Sequence, residues 1–248
     1  VIRHWLCLAI IALPQWVGAV TCEDTSFEGK DITVCTVDAT QDDLRLFLRD
    51  DEGAILGQFR AVERALDEGK TLAFAMNAGM YHADRSPVGH YVQDQNEEMR
   101  LLTGASVGNF GLLPNGVFCI TENSARVYET LKFASQKPHC RDATQSGPML
   151  VIDGALHPRF LKDSTSKFLR NGVGTSPDGK TAFFAISNTA VTFHEFGRFF
   201  RDVLKTPNAL YFDGKISRLH APQLDRSDTG FWMGPIVGVT APAPPATE

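Results

Sequence analysis

Turn signals recur along this chain at short intervals, so few of its elements can be long. Glu28-Gly29, Asp50-Asp51-Glu52-Gly53, Pro114-Asn115-Gly116, Asp153-Gly154, Pro177-Asp178-Gly179 and Asp213-Gly214 interrupt apolar or alternating runs. Asn-Gly and Asp-Gly favour the positive φ angles of tight hairpins. The runs they bound (44–49, 72–76, 111–120, 149–152, 181–187 and 209–212) therefore read as strands of a largely antiparallel or mixed sheet. Two segments carry helical spacing instead. Over 58–68, Phe59, Val62 and Leu66 share a face and Gly69 offers a C-terminal cap. Over 193–205, Phe196, Phe199, Phe200, Val203 and Leu204 form a buried stripe. Thr192 and Glu195 have the spacing of a capping box there, with Val191 and Phe196 as a hydrophobic staple. Hairpins with a few packed helices predict an α+β domain rather than a βαβ succession.

At 248 residues the chain can bury the core of one large domain. Its net charge of −5, without a run of Lys or Arg, argues against a nucleic-acid surface. The first residues, with Arg3, an apolar run over 5–13, Pro14 and Val17-Gly18-Ala19, have the layout of a secretory signal peptide cleaved after Ala19. That run is too short to span a bilayer comfortably, so no stable membrane span is expected after cleavage. The organisation expected is a signal peptide over 1–19, one domain over 20–240 and a disordered Pro/Ala-rich tail over 241–248. A secreted or periplasmic location follows. Beyond Cys7 the cysteines are Cys22, Cys35, Cys119 and Cys140, an even set suited to two disulfides. Three connectivities exist. Cys22 with Cys35 would staple a hairpin turning near Glu28-Gly29-Lys30, leaving Cys119 with Cys140. A zinc site is disfavoured by the absence of a C-x-x-C pair.

Three apolar strands empty into polar, glycine-containing loops, where catalytic groups commonly sit on a rigid scaffold. The strand 72–76 runs into Asn77-Ala78-Gly79-Met80-Tyr81, and 209–212 into Asp213-Gly214-Lys215-Ile216-Ser217-Arg218. Gln145-Ser146-Gly147-Pro148 forms a polar corner beside the strand 149–152. A carboxylate at Asp213 beside Lys215 and Arg218 could act on a substrate whose anion the cations hold. Asp-Gly is equally a preferred turn pair, and both readings stand on spacing alone. Asn77 and Gly79 suit hydroxyl recognition or a structural turn. Ser146 lies outside any G-x-S-x-G elbow, so hydrogen bonding fits it better than nucleophilic attack. Arg170, beside Asn171-Gly172-Val173-Gly174, could clamp a phosphate or lie on a solvated surface. Asp153 and Asp178 read as turn residues, and Glu195 as a helix cap. The histidines follow no metal-binding spacing; His82 and His90 flank the Asn77 loop. Neither a metal nor another cofactor is expected, and oligomeric state is not readable.

Taken together, NAGMY, the QSGP corner, RNGVG and a strand ending in NALYFDG resemble the phosphodiester glycosidase family, over about residues 72–239. Its Asn-Gly-Gly start with an aromatic pair is matched by Asn77, Gly79 and Tyr81. Its Ser-Gly corner maps onto Ser146-Gly147, its Arg onto Arg170 and its strand-ending Asp-Gly onto Asp213-Gly214, while Gln145 and Pro148 fit bacterial members. The glycine-rich continuation after Asp-Gly is replaced here by Lys215-Ile216 before Ser217. The resemblance implies a secreted hydrolase that cleaves a sugar-1-phosphodiester or a related glycosidic bond. Asp213 would be nucleophile or general base and Arg170 would hold phosphate. Asn77, Gly79, Tyr81, Gln145, Ser146, Gly147, Gly214, Lys215 and Ser217 would line the carbohydrate or sugar-phosphate site. A non-catalytic glycan-binding module on the same fold is the alternative.

Overall fold

The computed structural model describes residues 20–213 and 216–243. The expected signal peptide, Gly214, Lys215 and residues 244–248 lie outside them. The described chain is α+β: three sheets wrap a common core, and every strand pairing within them is antiparallel. The first sheet runs β1 (Val20–Phe27), β2 (Lys30–Asp38), β13 (Thr181–Ser187), β12 (Asn171–Thr175), β14 (Asn208–Tyr211), β10 (Met149–Ile152), β11 (Ala155–Leu156). The second runs β16 (Arg226–Ser227), β15 (Leu219–Ala221), β4 (Lys70–Asn77), β17 (Ile236–Pro242), β3 (Asp43–Phe47). The third runs β6 (Asn96–Met99), β5 (Tyr91–Gln93), β9 (Asp142–Ser146), β7 (Gly116–Ile120), β8 (Ala125–Glu129).

Local chemistry sets the hairpins. Glu28 and Gly29 at φ 50° and 72° turn β1 into β2, and Asp153 and Gly154 at 47° and 82° turn β10 into β11. Both expected disulfides form: Cys22–Cys35 joins directly opposed residues of β1 and β2, and Cys119–Cys140 ties β7 to the approach to β9.

Each sheet carries one short helix on its outer face. Phe59 and Val62 of α1 (Phe59–Ala65) pack against Leu72 and Ala75 of β4. Phe133 of α2 (Thr130–Gln136) packs against Val117 and Ala143. Phe196 of α3 (Phe193–Arg198), with Phe199 and Phe200, covers Val34, Ala185 and Tyr211. The capping box of Thr192 and Glu195 is present. Inward-facing side chains fill the space the sheets share. Phe184 of β13 lies 4.9 Å from Phe74 of β4 and edge-on to Phe118 of β7 at 5.7 Å, and Phe118 meets Phe212. One aromatic junction thus bolts all three sheets together.

Several boundaries differ from expectation. The run 111–120 is strand only from Gly116, because the preceding residues form a loop. α1 ends at Ala65, where Leu66 turns extended, and Gly69 (φ 79°) serves the turn into β4 rather than a helix cap. Beyond Arg198 the 193–205 helix widens into a π turn, Phe199–Val203, with Leu204 N bonded to Phe199 O at 3.1 Å. The wider turn rotates Val203 off the buried stripe, leaving it 46% exposed. Ala241 and Pro242, expected in a disordered tail, continue β17 because Thr71 and Lys70 of β4 extend alongside them. α2 was not expected, since it buries too few apolar residues for a period to show. No helix among the described residues is long and apolar enough to cross a membrane.

If the aromatic junction holds the sheets together, Phe184→Ala should cost about 3–5 kcal/mol. Urea denaturation of the oxidised protein measures this, and a loss below about 1 kcal/mol would refute the assignment.

Candidate active site

The four strands β4, β9, β12 and β14 have ends that meet at one place. Asn77 closes β4, Ser146 closes β9, Asn171 opens β12, and Phe212-Asp213 follow β14. Because β12 and β14 are antiparallel neighbours, the exit of one lies beside the entry of the other: Phe212 N donates to Asn171 O at 3.0 Å. Two amide side chains, both fully buried, then tie the strand ends together. Asn171 Nδ2 donates to Asn77 O at 2.8 Å, and Asn171 Oδ1 accepts from Asp213 N at 3.2 Å and from Asn77 Nδ2 at 3.3 Å. Asn77 Oδ1 accepts from Arg218 N at 2.9 Å. Ser217 Oγ lies 3.0 Å from Asp213 O, and Ser146 Oγ donates to Phe212 O at 2.9 Å. The loop that carries Asp213 is therefore anchored on both flanks.

These bonds reassign several expected contacts. Asn77 and Ser146 were expected to bind sugar hydroxyls or phosphate; both are wholly buried, Asn77 bonded to Arg218 N and the Asn171 side chain and Ser146 to Phe212 O. Gln145 projects to the opposite face of β9, where it bonds Leu102 and His90 and fastens the loop after β6. A Cβ on Gly79 would lie 2.7 Å from Gln145 O, so this glycine lets the Asn77 loop lie on β9. Gly147 similarly packs on Asn115. Ser217 supports the loop, and Gly214 and Lys215 fall outside the described residues. His90 is buried against Phe133 with Nδ1 near Met99 O, a core position, and His82 sits in an exposed turn.

Two phenols, Tyr81 and Tyr211, link the charge of Asp213 to those of Arg218 and Arg170. Burial raises the Tyr211 phenol well above its ordinary range; Asp213 adds to the rise, while Arg170 and Asn109 oppose it. Burial likewise raises Tyr81, again with Asp213 adding and with Arg85 and Arg218 opposing. The carboxylate thus acts on both phenols. Tyr81 Oη is buried without a hydrogen-bond partner among the described residues. Arg170 is 1% exposed. Its Nε donates to Val191 O at 2.9 Å and its Nη2 to Ser166 O at 3.2 Å, while Nη1 makes no well-formed hydrogen bond among the described residues. Phe193 lies 3.6 Å from the guanidinium carbon, and Phe168 and Tyr211 lie 5.4 Å away. Burial lowers the pKa of Arg170 and of Arg218. A carboxylate whose charge reaches two phenols, each of which also feels a guanidinium, can attack or deprotonate while those cations stabilise an anion.

Sequence reasoning passed over Asn171 and Tyr211 and named Arg218 only as a neighbour. The signals were present: Asn171 follows Arg170, and Tyr211 lies two residues before Asp213.

Replacing Asn171 with Ala strands buried groups on several segments at once and should cost about 2–3 kcal/mol, measurable by thermal or urea unfolding. Stability should also fall on acidification. Burial lowers the pKa of His90, His157 and His220 from 6.5, so below that value the unfolded chain binds more protons than the native one. Asp42, raised to about 6 by burial, acts in the opposite sense in the same window. The urea midpoint should drop between about pH 7 and about pH 5, and more steeply in Asp42→Asn. An unchanged slope in that variant would contradict the assignment.

Comparison with known proteins bears on the family and the fold. The chain is 29% identical over 215 residues to the uncharacterised protein YigE of Escherichia coli (strain K12), covering 86% of this chain and 83% of that one. The catalytic domain of zebrafish N-acetylglucosamine-1-phosphodiester alpha-N-acetylglucosaminidase, auto-inhibited by its pro-peptide, superposes with a TM-score of 0.61 at 11% identity, over 89% of this chain and 81% of that one. A hypothetical protein from Synechocystis also gives 0.61, at 13% identity, over 91% of this chain and 63% of that one. At such identities the structural matches speak for the fold. The phosphodiester glycosidase family model matches residues 70–220, a span that runs from β4 through the Asp213 loop to β15, and the chain belongs to that family.

Proposed function

We propose that this protein hydrolyses a sugar-1-phosphodiester, or a related glycosidic bond in an envelope glycan, with Asp213 as nucleophile or general base. The observation that carries the reading is the position of Asp213: its backbone is fixed by buried amides, and its charge acts on Tyr81 and Tyr211. In the reaction the bond between the anomeric carbon and the phosphate oxygen breaks, water supplies the new oxygen on that carbon, and the phosphate monoester departs with the bonding pair. An ordinary glycoside releases a poor alkoxide, so two carboxyl groups generally share the work. A phosphate monoester is already a stable anion. Protonating it matters less, and cations near it contribute more. Arg170 supplies that charge, with Nη1 as the donor its backbone contacts leave over.

Asn77, Gln145, Ser146 and Ser217 act in this reading as positioning residues. The two disulfides support an oxidising compartment, secreted or periplasmic, and the substrate class is carbohydrate or sugar phosphate. A non-catalytic glycan-binding role is the second reading, favoured by Lys215-Ile216 where the family motif continues with glycine. Calorimetric titration with product analysis on sugar-1-phosphodiesters separates the two, since binding without cleavage supports the module. For the enzyme, Asp213→Asn should lower kcat by about 10²–10⁴-fold with an unchanged circular dichroism spectrum. Turnover retained in that variant would end the assignment.

A further inference from the structure

The loops that reach the candidate active site share a property that its chemistry does not use. Among the described residues eight large apolar side chains stand exposed, and six of them, Val107, Leu161, Phe168, Leu169, Phe231 and Trp232, lie on three such loops. Val107 is 93% exposed and Phe231 78%, so the fold itself does not cover them. The first loop, over 100–115, brings Asn109 to the Tyr211 phenol. The second, over 157–170, stacks Phe160 on Phe193 at 5.1 Å, and Phe193 is the ring 3.6 Å from the Arg170 guanidinium carbon. Its Leu169 O lies 3.2 Å from Ser217 Oγ. The third, over 228–235, packs on Arg218 and Tyr81: a Cβ on Gly230 would lie 2.5 Å from Arg218 Nη2, and one on Gly234 2.5 Å from Tyr81 Cβ. Ser217 and Arg218 are consecutive, so the second and third loops touch the Asp213 loop at neighbouring residues.

Charge is distributed over these loops in one sense. The chain as a whole is at −5, yet the second loop carries Arg159, Lys162 and Lys167, all exposed, against Asp163 alone. The spans 101–113 and 229–235 contain no charged residue. Exposed apolar side chains gathered in one region mark a surface that meets a protein or a membrane. Lysines set between the apolar residues decide between the two. The core of a protein interface is depleted of lysine, whereas aromatic and aliphatic side chains interleaved with Lys and Arg suit the headgroup level of a bilayer. There the rings enter the acyl boundary and the cations stay with lipid phosphates.

We infer that the tips of these three loops dock on an anionic lipid surface, which seats the Asp213 loop at the membrane face. Leu161, Phe168 and Leu169 enter from the second loop with Lys162 and Lys167 beside them, and Val107, Phe231 and Trp232 enter from the two uncharged loops. The inference goes beyond the hydrolase reading and does not rest on it, because docking is expected whether or not Asp213 turns over a substrate.

The test uses the full chain with Trp5→Phe and Trp16→Phe, which leaves Trp232 as its one tryptophan. It is titrated with vesicles of phosphatidylcholine, alone or with about one-third phosphatidylglycerol. The anionic vesicles should shift Trp232 emission to the blue saturably and bind at least about tenfold more tightly than the neutral ones. Added salt should shrink that advantage. Leu161→Ser/Phe231→Ser, at two exposed positions, should weaken co-sedimentation with the anionic vesicles by about tenfold or more. Lys162→Gln/Lys167→Gln, which keeps the apolar tips, should remove most of the preference for anionic lipid. All variants share the apolar run over 5–13, so its contribution cancels between them. Asp213→Asn should bind the vesicles as tightly as the parent, so docking and turnover are read separately. Unchanged co-sedimentation of the Leu161/Phe231 variant, or Trp232 emission that no vesicle shifts, would overturn the inference. Self-association that this variant abolishes, without vesicle binding by the parent, would overturn it in favour of a second copy.

Discussion

A pair of buried amides, Asn77 and Asn171, is the constraint on which the rest of the site depends. Each fully buried side chain bonds backbone belonging to another segment, so the end of β4, the start of β12 and both flanks of the 213–218 loop are held by one network. Buried polar groups are costly unless every member is satisfied, and a satisfied network admits few alternative arrangements. The Asp213 backbone nitrogen is one of its members. The position of the carboxylate is therefore a property of the core, although the loop itself lies near the surface.

The network forms only if the strand ends arrive together, and the aromatic junction ensures this. Phe74 lies on β4, three residues before Asn77, Phe118 on β7 beside β9, and Phe212 directly before Asp213. Phe74 and Phe118 both pack on Phe184, and Phe118 also meets Phe212. On the strand leading to the site, Leu210 and Phe212 face this shared core while Ala209 and Tyr211 face α3. That alternation has a functional consequence. Tyr211, two residues before the acid, belongs to the face that meets Phe193 and Arg170.

Much of this was legible in the sequence where the signal is local. Turn pairs gave the hairpins, cysteine parity and one hairpin gave both disulfides, and the capping box located α3. The strand-end loops named Asn77, Ser146 and Asp213, and the family resemblance added Arg170. What the residues do there was less legible, because a side chain's partner is a tertiary fact. Asn77 and Gln145 carry the atoms a sugar-binding residue needs, and only the fold shows those atoms committed to Arg218 N and to Leu102. α2 and the π turn escaped for a related reason. Their identity depends on packing against β7 and β10, not on a period long enough to read.

The burial of Arg170 bears on how a phosphodiester would be cleaved here. Two backbone carbonyls and three aromatic rings replace its water, and that exchange lowers its pKa. A guanidinium starts from so high a pKa that it stays charged, since delocalisation makes it easier to desolvate than an ammonium. Its field is then screened less than that of a surface lysine: at 4 Å two unit charges interact by ~1 kcal/mol in water and ~4 kcal/mol at an effective dielectric constant of 20. In the proposed reaction substrate and departing phosphate would both feel this charge, but the negative charge at the bridging oxygen would grow only as its bond to the sugar breaks. Only that growing part lowers the barrier. A rigid buried guanidinium serves this end better than a mobile surface cation, because its orientation is already fixed by Val191 and Ser166 when the charge develops.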